Sequence, residues 1–409
     1  MIASSAARSA TEREHQNFQT GRRPMASIRR APSRTRRLCL AFGIAIAFIQ
    51  PTVGRAADTI KIGVVAPLTG PLADAGRYGV QGAKLAVEEV NKTGGVLGRQ
   101  LELVIEDDQS LNPSTVLAFT KLADDKDIVA FLGPTRSTQI QSIAPSVKQA
   151  GRPVMIGGTD PSLTLAGNPW FFRFRPNDTY TARVMSDYGL NKLGKKKWAI
   201  VHATDAFGTN AKTLFIEALK NQGIEPVIVE GQPNNSPDYT AVALAVKQSG
   251  ADVLATFITF EPDVAIFARQ LRQLGVNVVW LGSPSITTTT ARKLAGATLY
   301  GTFAVADFHP DANPEAKAFA EKYLASFKTT PDFFASWPYD AVHVLALAIG
   351  KAGSTDPGKI REALLAVKNY RGVEGTYNFD KNGDGLHGYN IVKNDNGNIV
   401  VERRIDFDD

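Results

Sequence analysis

The stretch Asp127–Ala150, DIVAFLGPTRSTQIQSIAPSVKQA, has residue types and an order that could do chemistry. Ile128–Leu132 is an apolar run of strand length; Gly133-Pro134 then break it. Thr135, Arg136, Ser137 and Thr138 lead from that break into a polar helix start. A strand that delivers hydroxyls and free backbone N–H groups to a helix N-terminus makes a site for an anion. Ser or Thr before a helix can also serve only as a cap. Spacing alone leaves both readings open. In an open α/β sheet such a site lies at the carboxyl ends of the strands, where small ligands bind.

Other reactive patterns are missing. His15, His202, His309, His343 and His387 are scattered, with no HExxH pair and no metal-ligand spacing. There is no GxSxG elbow and no P-loop. The pairs Asp107-Asp108 and Asp124-Asp125 are adjacent residues that project apart, which reads as solvated surface. Asp380–Gly385 imitates the start of a calcium loop, but Ile391 stands where a bidentate Glu is required. A turn between strands fits that segment better. The expectation is a protein without cofactor or metal, and not an enzyme.

The elements that must position the anion site come from a chain of 409 residues, 44% apolar, long enough for two domains with their own cores. The formal charge of +6 misleads. The first 57 residues hold 10 Arg and 2 Glu, leaving 36 basic against 38 acidic residues beyond them. Nucleic acid is therefore not an implied partner. The only cysteine, Cys39, lies in that first segment, so the rest can form no internal disulfide. Residues 1–57 read as a leader. Met25 is the better start, Arg29–Arg37 form a basic region, and Leu38–Ile49 is an apolar run too short to span a membrane. Gly54-Arg55-Ala56 offers small residues for cleavage near Ala56 or Ala57, so the mature chain is expected to be soluble and exported.

From Thr59 the pattern alternates strand and helix. Strands are expected at Thr59–Ala66, Gln100–Glu106, Ile128–Leu132, Pro153–Ile156 and Phe171–Phe174, with helices between the earlier ones. After Arg175–Asp178 the rhythm restarts, with strands at Trp198–His202, Pro226–Val229, Val253–Thr256 and Val278–Leu281. Helices at Pro314–Phe327 and Ser336–Gly350 and a β-rich tail complete the chain. Two successive βα sets imply an α/β fold of two doubly wound, Rossmann-like lobes. No Gly/Ser-rich linker separates them, which suits a hinge rather than a tether.

The run TIKIGVVAPLTGPLADAGRYGVQGAKLAVEEVNKTGGVLGRQLELVIEDD, followed by FLGPTRSTQ and IGGTDPSLT, resembles the branched-chain amino-acid type of periplasmic solute-binding protein. The TGPLA-x-x-G loop, the turn at Gly94–Gly98 and AIVHATDAFG occur in the order that family has them. The resemblance implies two lobes of periplasmic-binding-protein type I, joined by a three-segment hinge and closing on a small solute. It also implies docking on the inner-membrane permease subunits of an ABC importer. Lobe one should then be residues 58–176 and 309–386, and lobe two 177–308 and 387–409. The protein should act as a monomer in the periplasm.

By the same resemblance the carboxylate-binding hydroxyl falls on Thr135, flanked by the backbone of Arg136 and Ser137. The next loop's backbone contacts fall on Gly158 and Thr159, and aromatic walls on Phe207, Phe260 and Phe334. Ala75 stands where the family often has an aromatic residue, leaving that wall open or replaced by Tyr78. The family's acid for the ligand ammonium falls on Pro284, between Ser283 and Ser285. A buried ammonium without an anionic partner is costly. Either Asp307 or Glu261 supplies the charge, or the solute has no amine. On these residues a hydrophobic organic acid is the expected solute, with a branched-chain amino acid the runner-up. A sensory ligand-binding module and a secreted enzyme on a similar fold are the alternatives. The first would be fused to a membrane span or kinase, and the second would need a nucleophile, metal or acid/base pair.

Overall fold

The computed structural model describes residues 59–407, so the expected leader, with its start at Met25, lies outside the described residues. The first lobe is built on β1 (Ile60–Ala66), α1 (Ala73–Lys92), β2 (Leu101–Asp107), α2 (Asn112–Asp124), β3 (Ile128–Leu132), α3 (Ser137–Ala150), β4 (Val154–Ile156), α4 (Ser162–Leu165) and β5 (Phe171–Arg173). Its strands lie in the order β2-β1-β3-β4-β5, all parallel. Every residue of β3 is buried, as expected of a parallel strand covered on both faces.

The second lobe follows with α5 (Asp178–Asp187), β6 (Trp198–Ala203), α6 (Ala206–Lys220), β7 (Ile228–Gln232), α7 (Thr240–Gln248), β8 (Val253–Phe257), α8 (Glu261–Gln273), β9 (Val279–Gly282), α9 (Thr289–Ala295) and β10 (Phe303–Ala306). The chain then returns to the first lobe for α10 (Pro314–Phe327), α11 (Phe333–Ala352), α12 (Pro357–Leu365) and the short pair β11 (Tyr370–Arg371) and β12 (Thr376–Tyr377). It ends in the second lobe with β13 (Gly388–Asp395) and β14 (Asn398–Asp406). The larger sheet has the order β14-β13-β10-β9-β8-β6-β7, with only the β10–β13 and β13–β14 pairings antiparallel. The chain thus passes between lobes three times, which is the hinged, type I arrangement.

Each sheet is packed on both faces. In the first lobe one core joins β1 to α1, α10, α11 and α12, and another joins β3 to α2 and α3. Two further cores cover the larger sheet. Helix α11 is long and apolar enough to cross a membrane, but 83% of its apolar window is buried inside the protein. It is a core helix. It packs on α1 so closely that a Cβ on Gly82 would stand 2.0 Å from the Ala335 carbonyl oxygen.

The sequence pattern missed α4, α5, α9, α12 and β10. Four of these five elements are short, and α5 opens on polar residues, capped by the Asn177 side chain after Pro176, before its buried stripe Tyr180, Val184 and Met185. Helix α11 begins at Phe333 rather than Ser336, because the Asp332 side chain accepts from the Phe334 N–H and caps it there.

Candidate ligand-binding site

Both sheets share one strand order, β2-β1-β3-β4-β5 in the first and β7-β6-β8-β9-β10 within the second. In such a sheet the connections leave in opposite directions on either side of one strand pair, opening a crevice at the carboxyl ends. Here the two crevices face one another. The cleft between them is lined by Pro67, Leu72 and Ala75 after β1, Thr135–Ser137 after β3 and Thr159 after β4. From the other lobe come Asp205 and Phe207 after β6, Ile258 and Thr259 after β8, and Pro284 and Ser285 after β9. Phe333 and Phe334 at the head of α11, with Arg175 and Asp178 from the first passage between lobes, complete the wall. The empty space of the cleft is about 740 Å³ counting its open mouth.

The polar wall is built by the turn after β3. Gly133 takes φ +88°, and a Cβ there would stand 2.2 Å from the Val65 carbonyl oxygen, so the chain turns hard against β1. Among the described residues nothing hydrogen-bonds the Thr135 hydroxyl, which remains available to a ligand. The Arg136 guanidinium lies over the Phe260 ring, 4.7 Å from its centroid. Its Nη1 donates to the Ser110 carbonyl at 3.1 Å, and Nη2 stands 3.9 Å from Asp205 Oδ2. Its buried Nε has no acceptor among the described residues. Burial pushes the Arg136 pKa down, with Asp205 and Asp108 pulling the other way. Ser137 Oγ accepts from the Asp160 N–H at 3.3 Å.

Two carboxylates also face the cleft. Asp205 caps α6 and is saturated by the Gly208 N–H at 2.9 Å, Asn234 Nδ2 at 2.9 Å and Thr259 Oγ1 at 2.7 Å. Asp178, 1% exposed, accepts among the described residues only from Thr159 Oγ1, at 3.0 Å. Burial pushes its carboxyl up to about 7, although that hydrogen bond, Arg173 and Arg175 favour the charged form. Arg175 is engaged elsewhere: Nη2 and Nε donate to Asp307 Oδ2 at 2.7 and 3.0 Å, and Cζ lies 4.0 Å from the Phe333 ring centroid.

Of the residues singled out from the sequence, Thr135, Arg136, Ser137, Thr159, Phe207 and Phe334 line the cleft together. Gly158 does not; its carbonyl accepts from Arg173 Nη1 at 2.8 Å. Phe260 lies beneath Arg136 rather than at the surface of the cleft. Ser283 is fully buried with its Oγ 3.0 Å from Ser285 Oγ, and it is Ser285 that lines the wall. Asp307 is turned into its pair with Arg175, and Glu261 is buried outside the cleft. Tyr78 stacks on Tyr323 at 6.1 Å and does not cover Ala75, so that wall stays open. The sequence reading passed over Arg175, Asp178, Asp205 and Phe333. Only Asp205 carried a signal, as an acidic residue immediately before the helix start Ala206-Phe207-Gly208.

Two facing lobes, each opening a crevice onto one cleft lined by hydroxyls and aromatic rings, define a hinged solute-binding protein. Residues 59–398 match the model of the periplasmic binding protein family, and the chain belongs to that family. It is 28% identical over 330 residues to the leucine-, isoleucine-, valine-, threonine- and alanine-binding protein of Pseudomonas aeruginosa, covering 80% of this chain and 88% of the relative. Its structure is similar to the leucine-binding protein LivK of Thermotoga maritima, with a TM-score of 0.80, 26% identity and coverage of 86% and 99%. It is also similar to LivJ of Streptococcus pneumoniae in complex with isoleucine, with a TM-score of 0.78, 26% identity and coverage of 85% and 99%.

Proposed function

We propose that this protein is the periplasmic solute-capturing component of an ABC importer, and that its solute is an α-amino acid with an apolar side chain. The observation that carries the reading is Asp178: a buried carboxylate in the wall of the cleft whose one hydrogen-bond donor among the described residues is a neutral hydroxyl. An ammonium group gives it the cationic partner that buried carboxylates need. The family position on Pro284 offers no charge, and Asp178 supplies it from the first passage between lobes. The solute carboxylate goes to Thr135, Arg136 and Ser137, and its side chain to Leu72, Phe207, Phe333 and Phe334. The Pseudomonas relative, named as binding leucine, isoleucine, valine, threonine and alanine, and the Streptococcus one, in complex with isoleucine, support this choice. It reverses the preference for an organic acid that the sequence alone suggests.

As in other hinged binding proteins, the loaded, closed form is the one that docks on the inner-membrane permease, and the protein acts as a monomer exported by its leader. Calorimetry with leucine, isoleucine and valine and their 2-oxo acids tests the ligand. Binding of the amino acids at least tenfold tighter than the matched oxo acids is expected. Binding of the oxo acids with no response to any amino acid overturns the amine reading and returns the cleft to an organic acid.

A further inference from the structure

Glu261 opens α8 in the second lobe, one residue after the Phe260 ring that carries the Arg136 guanidinium of the first lobe. It is 3% exposed, and its Oε1 makes no hydrogen bond among the described residues. The groups that act on it from across the seam are acidic: Asp332, which caps α11, and Asp74 in the first turn of α1. Asp263 adds a third carboxylate from its own helix. The seam is closed around them. The Thr289 N–H donates to Asp332 Oδ2 at 2.9 Å, and Thr290 Oγ1 donates to Asp74 Oδ2 at 3.3 Å.

The cations at this seam are engaged with the other acids. Arg77 Nη2 lies 2.8 Å from Asp74 Oδ1, Lys293 of α9 also acts on Asp74, and Arg292 of α9 acts on Asp332. Tyr239, just before α7, faces Asp263. A metal ion does not resolve the crowding, because among the described residues no group of three His, Cys, Asp or Glu side chains is placed to hold one. A proton on Glu261 does. It turns the orphaned carboxylate into a neutral group and removes its repulsion from Asp332 and Asp74.

We propose that closing the lobes takes up a proton on Glu261, so that solute capture is linked to protonation of the seam. Burial first, and then the carboxylates of Asp332 and Asp74, push the Glu261 carboxyl up to about 8. The head of α8 and its own N–H favour the charged form, and they are outweighed. With the lobes apart, Glu261 meets water and titrates near its ordinary value of 4.5. Between those two values the closed form holds a proton that the open form lacks. Closure is therefore favoured by acid and weakens as the pH rises to about 8, by up to about tenfold per pH unit for one proton. This follows from the seam and does not depend on which solute is bound.

The test needs no ligand. Leu165, 63% exposed in the first lobe, and Leu244, 40% exposed in the second, are replaced by cysteine in the full chain carrying Cys39→Ser. Spin labels on the two cysteines report the distance between lobes from pH 5.5 to 8.5. The wild-type pair is expected to shift at least tenfold from short to long distances across that range, and Glu261→Gln to remain at the short distance throughout. Asp332→Asn, which removes one of the repelling charges, lowers the Glu261 carboxyl in the closed form, so the pH dependence is expected to level off at a lower pH and the total shift to be smaller than in the wild type. A wild-type distribution that ignores pH, or a Glu261→Gln chain that shifts as the wild type does, overturns the proposal.

Discussion

Arg175 and Asp307 belong to two different passages between the lobes, and they meet as a buried ion pair with Nη2 and Nε 2.7 and 3.0 Å from one Oδ2. Burial works against the Arg175 charge and the Asp307 carboxylate outweighs it, so the guanidinium pKa is raised. The third passage is tied to both. Tyr389 Oη donates to the Pro176 carbonyl at 2.8 Å, and Asn390 Nδ2 reaches the carbonyls of Ala306 and Asp307 at 3.2 Å each. The three passages between the lobes are thus tied together by side chains. The same pair explains why Asp307 is unavailable to a solute.

Breaking that pair from one side leaves a buried, uncompensated guanidinium. Asp307→Ala is expected to cost about 3–5 kcal/mol of stability. Urea unfolding followed by circular dichroism reads the loss. A cost below about 1 kcal/mol would mean that water or another acid already neutralises Arg175 in the hinge.

Thr135 offers the opposite case, a side chain with no partner inside the described protein. Thr135→Ala should leave the unfolding midpoint where it is. It should weaken solute binding about ten- to a hundredfold, the worth of one hydrogen bond to a charged group. Equal affinity in the two proteins moves the carboxylate away from this turn.

Thr135–Ser137 could be read from the sequence because an apolar run, a Gly-Pro break and three polar residues are contiguous, and local order fixes their place at the end of β3. Phe207 and Phe334 needed the family resemblance, since among many buried phenylalanines nothing local marks the two that face a cleft. Asp178 was out of reach of either. Its role arises because the first passage between lobes brings the start of α5 against Thr159, a contact between residues 19 apart that depends on the path of the hinge. Asp307 failed for a related reason. Its partner, Arg175, is 132 residues away, and only the folded hinge shows that the acid is already taken.

Helix α1 carries a second acid whose environment is the reverse of those in the seam. Glu89 Oε1 accepts from Lys322 Nζ of α10 at 2.7 Å, Oε2 accepts from Tyr339 Oη of α11 at 2.6 Å, and His343 Nε2 lies 3.3 Å from it. Burial raises its pKa, but His343, Lys322 and Tyr339 together outweigh that and hold the carboxyl down near 2. A lowered pKa stabilises the fold above the ordinary value of 4.5, and that stability is lost as pH falls through about 2. The gap in urea midpoint between wild type and Glu89→Gln should therefore be constant above pH 5 and close towards pH 2. A gap that stays the same down to pH 2 would show that packing of the side chain, rather than its charge, joins α1 to α10 and α11.

Asp178 and Glu261 give solute binding a pH profile with two opposed parts. An ammonium binds the ionised Asp178, whose carboxyl is held near 7 in the cleft, so below pH 7 binding must first expel a proton and affinity falls with acid. Glu261 does the reverse, because closure takes up a proton and affinity falls as pH rises towards about 8. In the wild type the two proton terms cancel between about pH 5 and 7, leaving affinity flat there and falling only from 7 to 8. Glu261→Gln should remove that fall and expose the acid side, a rise of up to about tenfold per pH unit that levels off near 7. Asp178→Asn should lose most of its affinity for the amino acid and, in what remains, weaken steadily from pH 5 to 8. Calorimetry with leucine at half-unit pH steps on the three proteins separates the terms. A Glu261→Gln profile as flat as the wild type below pH 7 would remove Asp178 from the ammonium site, while a wild-type profile that rises from 7 to 8 would remove Glu261 from closure.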